Sequence, residues 1–156
     1  MRHYSDSPGS IYPALKRIEK RGWIEAVPQQ GQEADSRRRQ VFALTAAGKD
    51  ALVAWLDKPV SRDDVNLRVG ELMLRFAFMD GNVPRATTIQ FLIDFERERA
   101  IYAAESRAKL EDMRSKAGLH TGVLAYELGI EGMEAQVSWA RRAREQFEKA
   151  QVSPSS

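Results

Sequence analysis

Along this 156-residue chain the apolar positions change rhythm near Pro59. Before it they come in short bursts separated by glycine and clustered charge; after it they recur at helical spacing over long stretches. In residues 9–21 Ile11, Leu15 and Ile18 share one helical face with Ala14. Tyr12, Pro13, Lys16, Arg17 and Lys20 fall on the other face. A helix over 9–21 is predicted, with Ser10 as N-cap so that Pro13 lies in the first turn, where no backbone N–H is needed. Gly22 closes it in the position that favours a left-handed residue. Residues 23–27 and 39–44 alternate as two short strands around a polar turn, a hairpin with Arg37, Arg38 and Arg39 at its tip. Thr45 is the N-cap expected for a helix to about Leu56, with Gly48 as the one weakening residue in its first turn.

Beyond Pro59 the run from Leu67 to Met79 is apolar nearly all round, which predicts a helix buried on most sides. Asp80, Gly81 and Asn82 read as a turn. Pro84 then opens a long helix to about Lys116, and residues 118–122 break it. A last helix is expected over 123–150. In it Val123, Tyr126, Ile130, Met133, Val137, Ala140, Arg144 and Phe147 advance in steps of three and four, a seam that packs on another helix. The division expected is 1–58, an N-terminally incomplete winged-helix DNA-binding domain; 59–152, a helical dimerisation domain; and 153–156, a disordered tail. The fold class is mainly α with a small β-hairpin wing: a partial winged helix-turn-helix followed by a helical C-terminal dimerisation arm.

Composition and charge narrow the function. The chain has 43% hydrophobic and 29% charged residues, the balance of a globular protein, and the absence of cysteine excludes disulfides, thiolate metal sites and cysteine nucleophiles. No apolar run reaches the ~18–20 residues that span a bilayer, and the N-terminus lacks the apolar stretch of a secretory signal, so a cytoplasmic location is expected. Net charge is +2, but residues 1–49 carry +4 and the rest −2. The positive excess therefore sits where a helix would enter a major groove and a basic hairpin would lie along phosphates. His3 and His120 read as loop histidines, and Glu96-Arg97-Glu98-Arg99 as a solvated helix face. Gly129 and Gly132 suit a close helix crossing or simply a packed seam. Tyr102, Tyr126 and Trp139 are read first as core, with the wall of an effector pocket as the alternative. No catalytic, metal or cofactor constellation is visible, so an enzyme is not expected.

Two segments carry a resemblance. SPGSIYPALKRIEKRGWI (residues 7–24) resembles the recognition-helix signature of the PadR-like transcriptional regulators, and RRRQVFALTAAG (37–48) resembles that family's second wing strand and following helix. The resemblance implies a dimeric repressor that binds a pseudo-palindromic operator in double-stranded DNA and is released by a small-molecule effector. It implies DNA contacts from Ser7, Ser10, Tyr12, Pro13 and Lys16, with wing contacts from Arg37, Arg38 and Arg39; the helical wheel adds Arg17 and Lys20, which share the outer face, to the expected DNA-binding residues. Homodimerisation is expected through Leu72, Phe76, Met79, Tyr126, Ile130, Met133, Val137 and Phe147. Relatives carry two further helices ahead of the recognition helix, for which this chain has no room, leaving Ile11, Leu15 and Ile18 short of packing partners. That departure gives the alternative reading: a truncated interaction module that dimerises with full-length relatives without binding DNA itself.

Overall fold

The computed structural model describes residues 8–27 and 40–150. Its order is α1 (Pro8–Lys20), β1 (Ile24–Val27), β2 (Val41–Leu44), α2 (Ala46–Leu56), α3 (Arg62–Leu67), α4 (Val69–Ala77), α5 (Arg85–Ala117) and α6 (Thr121–Lys149). The class is as expected: helical, with one antiparallel hairpin that pairs Ile24 with Leu44 and Val27 with Val41. The described contacts form two compact units, one ending at Trp55 and the other starting at Leu56. The expected tail, 153–156, lies outside the described residues.

In the first unit α1 begins at Pro8, one residue ahead of the predicted range. Ser10 is inside the helix rather than its N-cap, and Pro13 sits in its second turn, where it cannot donate to the carbonyl of Gly9. Gly22 takes φ +71°, as its place after the helix predicts. Thr45 is the N-cap of α2: its Oγ1 accepts from the Gly48 N–H at 3.0 Å and donates to the Gly22 carbonyl at 2.5 Å. The Thr45 N–H donates to the Trp23 carbonyl at 3.1 Å. Gly48, a mild liability by helix propensity, is buried against that same Trp23 backbone. The inner face of α1 is partly bare, with Ile11 46% exposed and Leu15 and Ile18 half-buried.

In the second unit the predicted 67–79 helix is α4, and an unpredicted short helix, α3, ends just before it, the two meeting at Arg68. α3 precedes the break and is held by a capping box in which Ser61 Oγ accepts from the Asp64 N–H while the Asp64 carboxylate accepts from the Ser61 N–H. α4 follows, and it is not buried on most sides: Leu74 and Phe78 are about half exposed. Its other face builds the core. Phe76 lies 5.8 Å from Phe91, 5.4 Å from Trp139 and 6.3 Å from Phe147, ring centre to ring centre, and Phe95 joins the cluster through Phe91 and Trp139.

α5 and α6 form an antiparallel hairpin about 50 Å long at 1.5 Å per residue. Ion pairs Arg114–Glu127, Arg107–Glu134 and Arg141–Glu96 mark its register. The three-four seam of α6 is buried or half-buried along its whole length, and toward the turn end Val123, Ile130 and Tyr126 pack on Leu110 and Met113 of α5. Among the described residues no helix is long and apolar enough to cross a membrane.

Candidate nucleic-acid interface

α1 sorts its side chains by face. Ala14, Leu15 and Ile18 are half-buried, while Tyr12, Pro13, Lys16, Arg17 and Lys20 are exposed, Tyr12 by 64%. A 100° step per residue puts Tyr12, Lys16 and Lys20 on one edge of that open face and Pro13 and Arg17 on the other. The site residues predicted on α1 are therefore brought together on one solvent-facing surface, the side chain of Ser10 alone lying outside the described set. Ser7, Arg37, Arg38 and Arg39 also lie outside the described residues.

What sets the height and angle of this surface is the turn after it. The Arg21, Gly22 and Trp23 N–H groups all donate to carbonyls in the last turn of α1, at 2.8–3.2 Å. The Gly22 and Trp23 carbonyls are in turn held by Thr45. The helix, the first strand and the N-terminus of α2 thus share one hydrogen-bonded corner. The Arg21 guanidinium carbon stands 5.0 Å above the centre of the Trp23 ring there. Neither Arg21 nor Trp23 was among the predicted contacts; the signal that points to them is an arginine two residues ahead of a tryptophan across a glycine turn, legible only once the turn is built.

The dimerisation residues expected from sequence fall in two groups. Leu72, Met79 and Ile130 are at most 2% exposed within the chain. Phe76 and Phe147 belong to the aromatic cluster, and Tyr126, Met133 and Val137 are half-buried along the α6 seam. The large apolar side chains left open in the arm are others: Ile93 and Ile101 on α5, Leu124 and Leu128 on α6, and Leu119 in the turn between them.

Two arginines in the second unit are buried, which the sequence pattern did not foretell. Arg75, 5% exposed, donates to the Lys58 carbonyl and lies 4.9 Å above the Phe91 ring. Arg99, 7% exposed, donates to the Val65 carbonyl. Burial pushes both guanidinium pKa values down, and neither pairs with a carboxylate among the described residues. Their backbone acceptors are the connector before α3 and α3 itself, so they fasten that segment to α4 and α5. Beside Lys58 and Phe91 opens a cavity of about 430 Å³ with an apolar floor of Leu56, Val60, Met79 and Phe91 and a polar rim of Thr87, Gln90 and Asp94. The aromatics considered for an effector pocket line none of it: Trp139 is in the cluster, and Tyr126 packs on the hairpin core. His120 is the exposed N-cap of α6, while His3 lies outside the described residues.

Residues 2–54 match the family model of the transcriptional regulator PadR-like family. None of the curated proteins matches the chain. The crystal structure of smu.1604c from Streptococcus mutans UA159 is 20% identical to it, covering 96% of this chain and 81% of that one with a TM-score of 0.35.

Proposed function

We propose that this chain, whose residues 2–54 are those of a PadR-like transcriptional regulator, is a dimeric, sequence-specific DNA-binding repressor that a small molecule releases. The observation that carries the reading is the open face of α1. It offers Tyr12, Lys16, Lys20, Pro13 and Arg17 on one open face, directly ahead of a β-hairpin between whose strands the sequence carries Arg37, Arg38 and Arg39. A helix with that face suits the width of a major groove, and polar and aromatic side chains on it reach base edges. Cations in the sequence between the two strands would release counterions from phosphates.

Dimerisation is assigned to the arm. Leu124 and Leu128, one turn apart on α6, are 49% and 69% exposed, an apolar strip that a second copy would cover. Effector binding is assigned to the 430 Å³ cavity, whose size and apolar floor suit a small organic molecule. A cytoplasmic location accords with a DNA target.

The test is an anisotropy titration of the full chain against DNA from upstream of its own gene, with unrelated DNA as competitor. Saturable binding that survives competitor and weakens steeply with salt is expected. Absence of such binding overturns the repressor reading.

A further inference from the structure

The corner between α1 and β1 holds one cation over an aromatic ring, which it does for no other basic residue among the described residues of the first unit. Lys16, Arg17 and Lys20 are exposed on α1, with no side-chain partner among the described residues. Arg21 is exposed too, but its guanidinium is stacked over Trp23 at 5.0 Å. The stacking platform is itself immobilised. The Trp23 N–H donates to the Ile18 carbonyl at 3.2 Å, its own carbonyl accepts from Thr45 at 3.1 Å, and Gly48 abuts its backbone. No ion pair among the described residues includes Arg21.

A guanidinium whose carbon lies 5.0 Å over the centre of an aromatic ring is held at one place by the ring and still has N–H groups turned away from it. Planar, paired donors match two oxygens of a phosphate group, and pre-orientation lowers the entropy lost when they bind. The place is also suitable. Pro13, Arg17 and Arg21 succeed one another every four residues, so Arg21 prolongs one edge of the open face past the end of the helix, two residues before the hairpin begins.

We propose that Arg21 and Trp23 form a phosphate-binding pair, in which Arg21 takes two oxygens of a DNA backbone phosphodiester and Trp23 is the positioning residue that holds it at the corner between recognition helix and wing. The assignment rests on the DNA-binding reading above and adds a contact that reports backbone, not sequence. A cation near a helix C-terminus also complements the helix dipole. That role alone would move thermal stability and leave the salt dependence of DNA binding untouched.

The experiment compares wild type, Arg21→Gln, Arg21→Lys and Trp23→Leu, all full-length and checked for folding by circular dichroism, in titrations from 50 to 200 mM salt. Arg21→Gln is expected to flatten the plot of log K against log salt by about 0.9, so that it loses about 3.5-fold less affinity over that range than wild type. Its ratio of specific to unrelated DNA affinity should stay as in wild type, because phosphates carry no sequence information. Arg21→Lys and Trp23→Leu should keep the slope and bind several-fold more weakly, the charge being present but no longer oriented. Wild-type slope and affinity in Arg21→Gln overturn the pair while leaving the regulator reading in place, even if Trp23→Leu does not fold. A wild-type chain that binds no DNA overturns both.

Discussion

A Cβ added to Gly48 would stand 1.9 Å from the carbonyl oxygen of Trp23. That oxygen also accepts the Thr45 N–H, so it cannot swing away without breaking the hydrogen bond that starts α2. The absence of a side chain at one helix position is thus what lets the second helix seat against the turn following the first.

Gly48→Ala is therefore expected to destabilise the first unit by about 3 kcal/mol or more, because the clash is with backbone and cannot be relieved by a rotamer change. The ~1 kcal/mol that alanine gains over glycine in a helix is too small to offset it. Gly129→Ala in α6 should have the opposite sign, stabilising by about 0.5–1 kcal/mol, since nothing lies within 4 Å of the added carbon. Urea unfolding of the two variants against wild type checks both; an unfolding midpoint for Gly48→Ala at or above wild type would refute the packing account.

The same pair of glycines shows what the sequence could and could not disclose. Element order through the first unit was readable, because Thr45 and Gly22 act through their own backbone and nearest turns. Gly48 looked like a weakness, since its reason is a residue twenty-five positions away. The α6 seam was equally plain, yet periodicity identifies a face and not what covers it; the chain's own α5 does, over positions expected to meet a second subunit. α3 went unread because six residues are too few to show a period, although Ser61 followed by Asp64 at the spacing of a capping box was its signal. Leu74 and Phe78 lie in a run read as buried and Arg99 in one read as solvated; tertiary placement reverses both readings, and it buries Arg75 besides.

Ser61→Ala should cost about 1 kcal/mol at neutral pH, the usual effect of losing an N-cap. Its pH dependence follows from Asp64. Burial raises that carboxyl's pKa, but hydrogen bonds from the Ser61 side chain and backbone, with the Arg68 guanidinium, outweigh it and leave the pKa below its ordinary value of 3.8. A carboxyl lowered in the folded state stabilises above its unfolded value, and that contribution is lost as pH falls through the folded one. The gap between wild type and Ser61→Ala is expected to be full at pH 6 and to narrow below 3.8, as the bond from the Ser61 hydroxyl to the ionised Asp64 is lost while the Asp64 N–H cap remains. A gap of constant size down to pH 2 would show that the carboxylate has no part in the cap.

Leu128→Asp should convert the proposed dimer to monomer without unfolding it, because Leu128 is 69% exposed and a carboxylate there is solvated in the monomer but desolvated in an apolar interface. Phe76→Asp makes a poor substitute. It would put a charge among Phe91, Trp139 and Phe147 and dismantle the arm itself. Sedimentation equilibrium distinguishes the outcomes: a halved mass with unchanged helical signal is expected for Leu128→Asp, and an unchanged mass would remove α6's apolar strip from the interface.

Tyr12→Ala and Lys16→Ala probe the open face of α1 for base reading, as distinct from the phosphate contact assigned to Arg21. Both side chains are exposed, so neither change should alter the unfolding free energy by more than about 0.5 kcal/mol. If these residues touch base edges, each substitution should lower the preference for specific over unrelated DNA by ~1–3 kcal/mol. The salt slope discriminates between the two. Lys16→Ala removes a cation and flattens the slope only if Lys16 also neutralises a phosphate, whereas Tyr12→Ala should leave it unaltered. Competition titrations against unrelated DNA give both quantities at once. Discrimination unchanged in both variants would mean that this face meets the backbone alone, and that sequence is read elsewhere on the protein.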